Sequence, residues 1–186
     1  RQRQMCIRDS GLSDIGHPCQ IMSDILTYEE SNGNIEGKTV ACLGDWNKNI
    51  SNSLIEAAGK FKFNLRIACP KKYSPNKKTL SWAKKNKVNL VVTTKPEEAV
   101  KNSDCVMTDK WVSMNDKVNK KAKKKILKPF QVNKKLMSKA NSDAIFMHCL
   151  PVGRGEEVTN EVIDGKQSVV WRQALNRVHA QKSIIK

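Results

Sequence analysis

"KTVACLGDWNKNISNSLIEAAGKFKFNLRIACP", residues 38–70, decides how this chain folds. It begins with a short apolar run of strand length that breaks at Gly44-Asp45. "NISNSLIEAAGKF" then has helical periodicity, with an Asn or Ser at its start suited to a cap. "NLRIACP" is a second apolar strand. Strand, helix and strand in succession make a parallel pair joined by a crossover.

The pattern continues in both directions. Upstream, "HPCQIMSDILTYEES" spaces Ile21, Ile25 and Leu26 as a helix does. Downstream come a lysine-rich helix around "KTLSWAKKN", the strand "NLVVTT", and a short helix "KPEEAVKN" with Pro96 in its first turn. The strand "DCVMTD" follows, then a basic helix from about 116 to 128. "AIFMHC" and "SVVW" read as the last strands, and "NRVHAQKSII" starts a closing helix. Apolar strands alternating with helices predict an α/β fold: a doubly wound, Rossmann-like parallel sheet with helices on both faces.

Bulk properties narrow the function. The 186 residues, 39% of them hydrophobic, suit one α/β domain. No apolar run reaches the roughly 20 residues that span a bilayer, and no secretory signal pattern appears. Six cysteines, at 6, 19, 42, 69, 105 and 149, show neither CxxC pairs nor zinc-site spacing. Three of them, Cys42, Cys69 and Cys105, lie inside apolar runs as small hydrophobes, which fits a reducing, cytoplasmic setting. The formal charge of +16 and "KVNKKAKKKILK" (117–128) raise nucleic acid as a partner. Yet 27 lysines stand against 7 arginines, and aromatics are 5%. Nucleic-acid surfaces lean on arginine and stacking rings, so the lysines read as a solvated face and as the codon usage of an AT-rich genome. Neither a nucleic-acid nor a membrane partner is expected.

Residues 1–10, "RQRQMCIRDS", hold three of the seven arginines and lack any apolar period. Met5 to Ser10 look like the translation of a DNA-library adapter, so 1–10 are expected to be a disordered artefact and 11–186 the domain.

Open α/β sheets bind ligands beyond the carboxyl ends of their strands, near the point where strand order reverses. Three strands here end in polar groups: Asp45, Asp109, and the pair His148-Cys149. Each has an ordinary reading. Cys149 could fill a core, Asp109 could cap the segment after it, and Asp45-Trp46-Asn47 could be an Asx turn. His17-Pro18 could merely start a helix, and Asn176-Arg177 could open the last one. Together, however, five polar clusters fall at expected element boundaries and none inside an element. No G-x-G-x-x-G or Walker sequence supports a nucleotide cradle. A Cys-His protease is excluded as well, because neighbours on a strand point His148 and Cys149 to opposite faces.

The order and spacing of "HPCQ" (17–20), "GDWNKN" (44–49), "DKWVSM" (109–114), "HCLP" (148–151), "RGEEVT" (154–159) and "NRVHAQK" (176–182) resemble one family. It is ornithine carbamoyltransferase, within the aspartate/ornithine transcarbamylases, and the likeness lies in its ornithine-binding half. The resemblance implies carbamoyl transfer from carbamoyl phosphate to the δ-amine of L-ornithine, giving citrulline and phosphate. It implies no metal or organic cofactor, and a homotrimer in the full-length enzyme. It places His17, Gln20, Cys149, Leu150 and Arg177 at carbamoyl phosphate. Asn49, Asp109, Ser113 and Met114 fall at ornithine, and Asp109, Cys149 and Arg177 in catalysis. Cys149 would orient the amine and would not act as a covalent nucleophile.

The family turn reads G-D-x-N-N, whereas here Lys48 separates Asn47 from Asn49. Asn49 is taken because it directly precedes the helix's first apolar residue, with Asn47 as the alternative. Leu175 stands where the family has Glu, and Gly153 where a histidine is common. The Ser-Thr-Arg-Thr phosphate loop of the family's other half has no match between 11 and 186. A sister transcarbamylase using putrescine is the nearest alternative. Ser113-Met114 and the asparagine turn favour an acceptor with a carboxylate.

Overall fold

The computed structural model describes residues 13, 15–112 and 119–185. Residues 1–10, Ser113 and Met114 lie outside them. Five parallel strands run in the order β3-β2-β1-β4-β5: β1 Thr39–Leu43, β2 Asn64–Ala68, β3 Leu90–Thr93, β4 Cys105–Thr108 and β5 Ile145–His148. The helices are α1 Pro18–Asn32, α2 Asn49–Phe61, α3 Lys77–Lys85, α4 Pro96–Val100, α5 Lys120–Leu127, α6 Lys134–Met137, α7 Asn160–Ile163 and α8 Val170–Ile185.

The strands alternate between two cores. Val40, Cys42, Leu65, Ile67, Cys105, Met107 and Met147 face Ile21, Ile25, Leu54 and Ile55 of α1 and α2. Ala41, Leu43, Val106 and Phe146 face Val100, Leu136, Val162 and Val170 on the other side. Both faces are therefore covered, which is why these strands read as continuous apolar runs and not as alternating ones.

Four expectations are corrected. "SVVW" is not a strand: Ser168 makes one isolated bridge to Phe146, and α8 begins at Val170. The residue after β5's crossover pairs once, and the chain then turns into helix because α8 packs along α1. Asn176 and Arg177 consequently lie inside α8 and do not open it, so one polar cluster does fall in an element interior. At α2 the cap position is Lys48, with no side-chain cap, and Asn49 is the first helical residue. The basic helix α5 starts at Lys120, capped by the Asn119 side chain accepting from the Ala122 amide.

Chain order sets the reversal point. After β1 the chain goes outward to β2 and β3, then crosses to β4 on β1's other side. Register pairs Leu43 with Thr108 and Thr108 with His148. The next residues along β4 and β5, Asp109 and Cys149, therefore emerge side by side at the carboxyl edge. Gly44, at φ 112°, carries β1 into its turn. A Cβ there would meet the Trp111 ring nitrogen at 2.9 Å, so this corner has room only for glycine.

Candidate active site at the carboxyl edge of the sheet

Asp109 and Cys149 meet as the register requires. The Cys149 thiol donates to Asp109 Oδ1 at 3.2 Å, and Lys48 Nζ lies 3.1 Å from Oδ2. Burial pushes the Asp109 carboxyl up. The Lys48 ammonium first, with the hydrogen bonds from Cys149 and Lys48, outweighs it and holds the group below the usual carboxylate range. Burial first, and the Asp109 charge second, push the Cys149 thiol well above its usual value. At neutral pH the pair is an ionised carboxylate beside a protonated thiol. A sulfur held protonated is a poor nucleophile.

Cys149 and Leu150 also line a cavity of about 80 Å³ with Gln20, His148, Gln173, Ala174 and Arg177. Two helices bring these residues in. α1 and α8 pack together. Arg172 Nε and Nη2 donate to the Glu30 carboxylate at 2.8 and 2.9 Å, and the Asn176 amide donates to Glu30 at 2.8 Å. This clamp sets Gln20, near the start of α1, opposite Arg177.

Beneath the cavity lies a buried amide-carboxylate network. Gln20 Nε2 and Gln173 Nε2 both donate to Asp24 Oδ1, at 2.8 and 2.6 Å. Gln173 Oε1 in turn accepts from the His148 amide at the end of β5. Burial raises the Asp24 pKa to about 6, although both glutamine bonds pull it down. His17 precedes α1, its amide donating to Ser53 Oγ at 2.9 Å. Burial first, then the nearby Arg177 cation, hold its pKa down to about 4 against the opposing pull of Asp109. His17 is therefore neutral at pH 7.

His148 and Cys149 do point apart. The His148 ring turns to Glu157, 3.3 Å away and fully buried, which also accepts from the Gly153 amide. The Leu150–Pro151 peptide is cis.

The turn after β1 is pinned from below. Asp45 Oδ2 pairs with Lys123 Nζ at 2.6 Å, each about 5% exposed, and Lys123 lies 5.3 Å from the Tyr73 ring centre. The Trp46 amide donates to the Tyr73 carbonyl, and the Asn47 amide to Asp45 Oδ1. Asn47 is exposed. Asn49 is turned elsewhere: Nδ2 donates to the Ser13 carbonyl at 2.6 Å, and Oδ1 accepts the Ile50 amide.

The structure thus gathers Gln20, Asp109, Cys149, Leu150 and Arg177, with His17 close enough to sense Arg177 and Asp109. Asn49 is not drawn to Asp109. Sequence reasoning missed Asp24, Gln173, Lys48, Lys123 and Glu157. Asp24 stands four residues after Gln20, so helical spacing carried a signal for it; Gln173 stands four before Arg177, a relation that appears only once α8 begins at Val170. Among the described residues, no three His, Cys, Asp or Glu side chains gather as metal ligands, and no helix is long and apolar enough to cross a membrane. A larger groove of about 590 Å³ lies between α6 and α7, lined by Lys134, Met137, Glu161 and Gln167, and holds none of these residues.

A family model described as aspartate/ornithine carbamoyltransferase, Asp/Orn binding domain, matches residues 36–186. The ornithine carbamoyltransferase of Rhodopseudomonas palustris is 53% identical over 176 residues, which are 95% of this chain and 56% of that protein. Among solved structures, the Pyrococcus furiosus ornithine carbamoyltransferase superposes with a TM-score of 0.87 at 43% identity, covering 94% of this chain and 57% of that one. The anabolic ornithine carbamoyltransferase of Campylobacter jejuni also gives 0.87, at 35% identity, over 94% and 59%. This chain spans little more than half the length of the curated relatives it matches.

Proposed function

The chain belongs to the aspartate/ornithine carbamoyltransferase family, with the fold of its Asp/Orn-binding domain, and from that premise we propose that it is the acceptor half of an ornithine carbamoyltransferase. Carbamoyl phosphate and L-ornithine are its substrates, and the site between β1, β4 and β5 serves the transfer. In the whole enzyme it works as a cytoplasmic homotrimer. The observation that carries the reading is the Asp109–Cys149 contact at the mouth of the cavity lined by Gln20, Leu150 and Arg177.

The chemistry asks for two things. The acceptor amine must be aimed at a carbonyl carbon, and negative charge must be stabilised on the carbonyl and departing phosphate oxygens. Asp109, ionised and low in pKa, steers the incoming ammonium but is too weak a base to strip it. Its role is orientation. The Cys149 thiol and the Leu150 carbonyl accept amine hydrogens. Arg177 supplies the fixed cation for the donor's oxygens. His17, neutral and with Nδ1 unpaired among the described residues, can accept or donate at the carbamoyl group. The amine first gives one proton to water; its nitrogen lone pair then forms the C–N bond, the C–O bond to phosphate breaks, and phosphate leaves with the electron pair and takes up the second nitrogen proton. Asn49, Ser113 and Met114 hold the amino-acid end. Asn49 must release the Ser13 carbonyl to do so.

The test is citrulline release from this chain grafted in place of the matching part of the P. furiosus enzyme. Activity with ornithine that falls at least a hundredfold in Asp109→Asn is expected, because a transition-state-orienting charge is worth about 3 kcal/mol. A graft that carbamoylates putrescine in preference to ornithine would overturn the assignment.

A further inference from the structure

Lys48, the residue that separates Asn47 from Asn49, places its ammonium where the reading above sends the acceptor's amine. Nζ lies 3.1 Å from Asp109 Oδ2 and also donates to the Lys110 carbonyl. The other oxygen of the same carboxylate receives the Cys149 thiol. A primary ammonium on an alkyl stem, held by the Asp109 carboxylate, makes the charge contact that the end of an ω-amino acid would make there. Lys48 takes that contact from within the chain.

The second lysine of the site shows what a purely structural cation looks like here. Lys123 holds Asp45 at 2.6 Å with both side chains about 5% exposed. It lies under the turn, against Tyr73. Lys48 is 15% exposed against 16% for Asp109, on the longer contact. Its backbone is extended, at φ −138° and ψ 165°, ahead of α2. The side chain can therefore swing from Asp109 to solvent by rotating its own stem, with no change in helix or strand. Leaving costs little as long as another cation takes its place. Leaving without one would strand the Asp109 charge in a largely enclosed site.

We propose that Lys48 is the resident occupant of the acceptor-amine subsite, a tethered competitor that the incoming amino acid must displace with a cation of its own. This rests on Asp109 and Cys149 being the amine-facing pair. Lys48 thereby acts as a specificity-determining residue. An acceptor with a terminal ammonium exchanges charge for charge at Asp109. An analogue of the same length with an apolar end offers no replacement, and the site stays closed to it. The competition also sets affinity. Were the ammonium docked about nine-tenths of the time, the subsite would be open about a tenth of the time, and apparent affinity would be about tenfold weaker than in a chain without it.

Reductive ¹³C-dimethylation of the graft described above, which carries both halves, keeps lysine charge and gives each side chain a methyl signal. Lys48 is assigned as the signal missing from Lys48→Gln. Its resonance should stand apart from the exposed lysines and join them in Asp109→Asn. Titration with ornithine, in the presence of carbamoyl phosphate, should move it to the exposed position, whereas norvaline, which lacks the δ-amine, should not. Lys48→Gln should bind ornithine about tenfold tighter than the parent. A Lys48 signal already among the exposed lysines overturns the proposal. So does one that stays docked at saturating amine, or a Lys48→Gln chain that binds no amine more tightly. Displacement by putrescine or lysine but not by ornithine would support the tethered competitor and remove ornithine as the acceptor, separating this inference from the functional reading.

Discussion

Replacing Asp24 with Asn should remove one of two opposing pH dependences that the site builds into the stability of the fold. Asp24 is fully buried and its pKa rises from 3.8 to about 6. Its folded form binds a proton that its unfolded form releases, so this group's contribution is complete below pH 3.8 and is lost as pH rises through 6. A shift of about two units is worth roughly 3 kcal/mol, of which about 2.5 kcal/mol falls between pH 4 and 7.5. His17 works the other way. Its pKa falls from 6.5 to about 4, so its contribution is present above pH 6.5 and is lost as pH falls through 4. His17 is only partly enclosed, and solvent screening reduces its share to about 1–2 kcal/mol. The two slopes oppose each other between pH 4 and 6.5, with that of Asp24 the steeper. Asn at 24 can still accept from both glutamines through Oδ1, so geometry is kept while the titration is abolished. Urea melts at pH 4.0, 5.5 and 7.5 should show Asp24→Asn gaining on the parent by about 2–3 kcal/mol as pH rises. His17→Gln should lose ground over the same range. A parent-to-Asp24→Asn difference that is constant with pH would mean that Asp24 titrates normally and that burial does not raise its pKa.

Cys149→Ala, in a protein carrying both halves of the family, should raise KM for ornithine far more than KM for carbamoyl phosphate, because the thiol bonds to Asp109, which the proposed function gives to the amine. Steady-state kinetics with each substrate varied checks this, and equal damage to both would indicate a packing role. The 186-residue chain alone should release citrulline at least about a thousandfold more slowly than a full-length control, because a dianion deprived of three or four charge-assisted hydrogen bonds loses several kcal/mol. A rate within tenfold of the control would show that these residues suffice. Lys123→Ala should destabilise the fold by about 3–5 kcal/mol by leaving Asp45 buried without its cation. Thermal and urea melts would detect it, and a loss under 1 kcal/mol would mean that solvent already reaches Asp45.

What the sequence determined by itself was periodicity and its punctuation. Apolar runs such as "TVACL" and "CVMT" have no freedom but to be strands buried on both faces, and the helical stretches between them have no freedom but to cover those faces. Polar residues placed just after such strands must emerge at an edge. That is why Asp45, Asp109 and Cys149 could be named as rim residues from their position alone. Boundaries that depend on packing were less legible. "SVVW" has the β-branched composition of a strand, yet only its first residue pairs, and the contact between α8 and α1 carries the rest into helix. That shift of the α8 start hid Gln173, because the i,i+4 relation to Arg177 means nothing until both residues share a helix.

Tertiary structure alone decided who meets whom across the rim. Strand order put β4 between β1 and β5, and only that neighbourhood brings residue 109 to residue 149 and residue 48 to residue 109. Lys48 in sequence is an interruption of an asparagine pair. In the fold it is a cation against the Asp109 carboxylate. No local pattern could tell the two lysines apart, one fixed under Asp45 and one free to swing at Asp109. Burial and distance set that difference, and both arise from contacts between segments 60 or more residues apart in the chain.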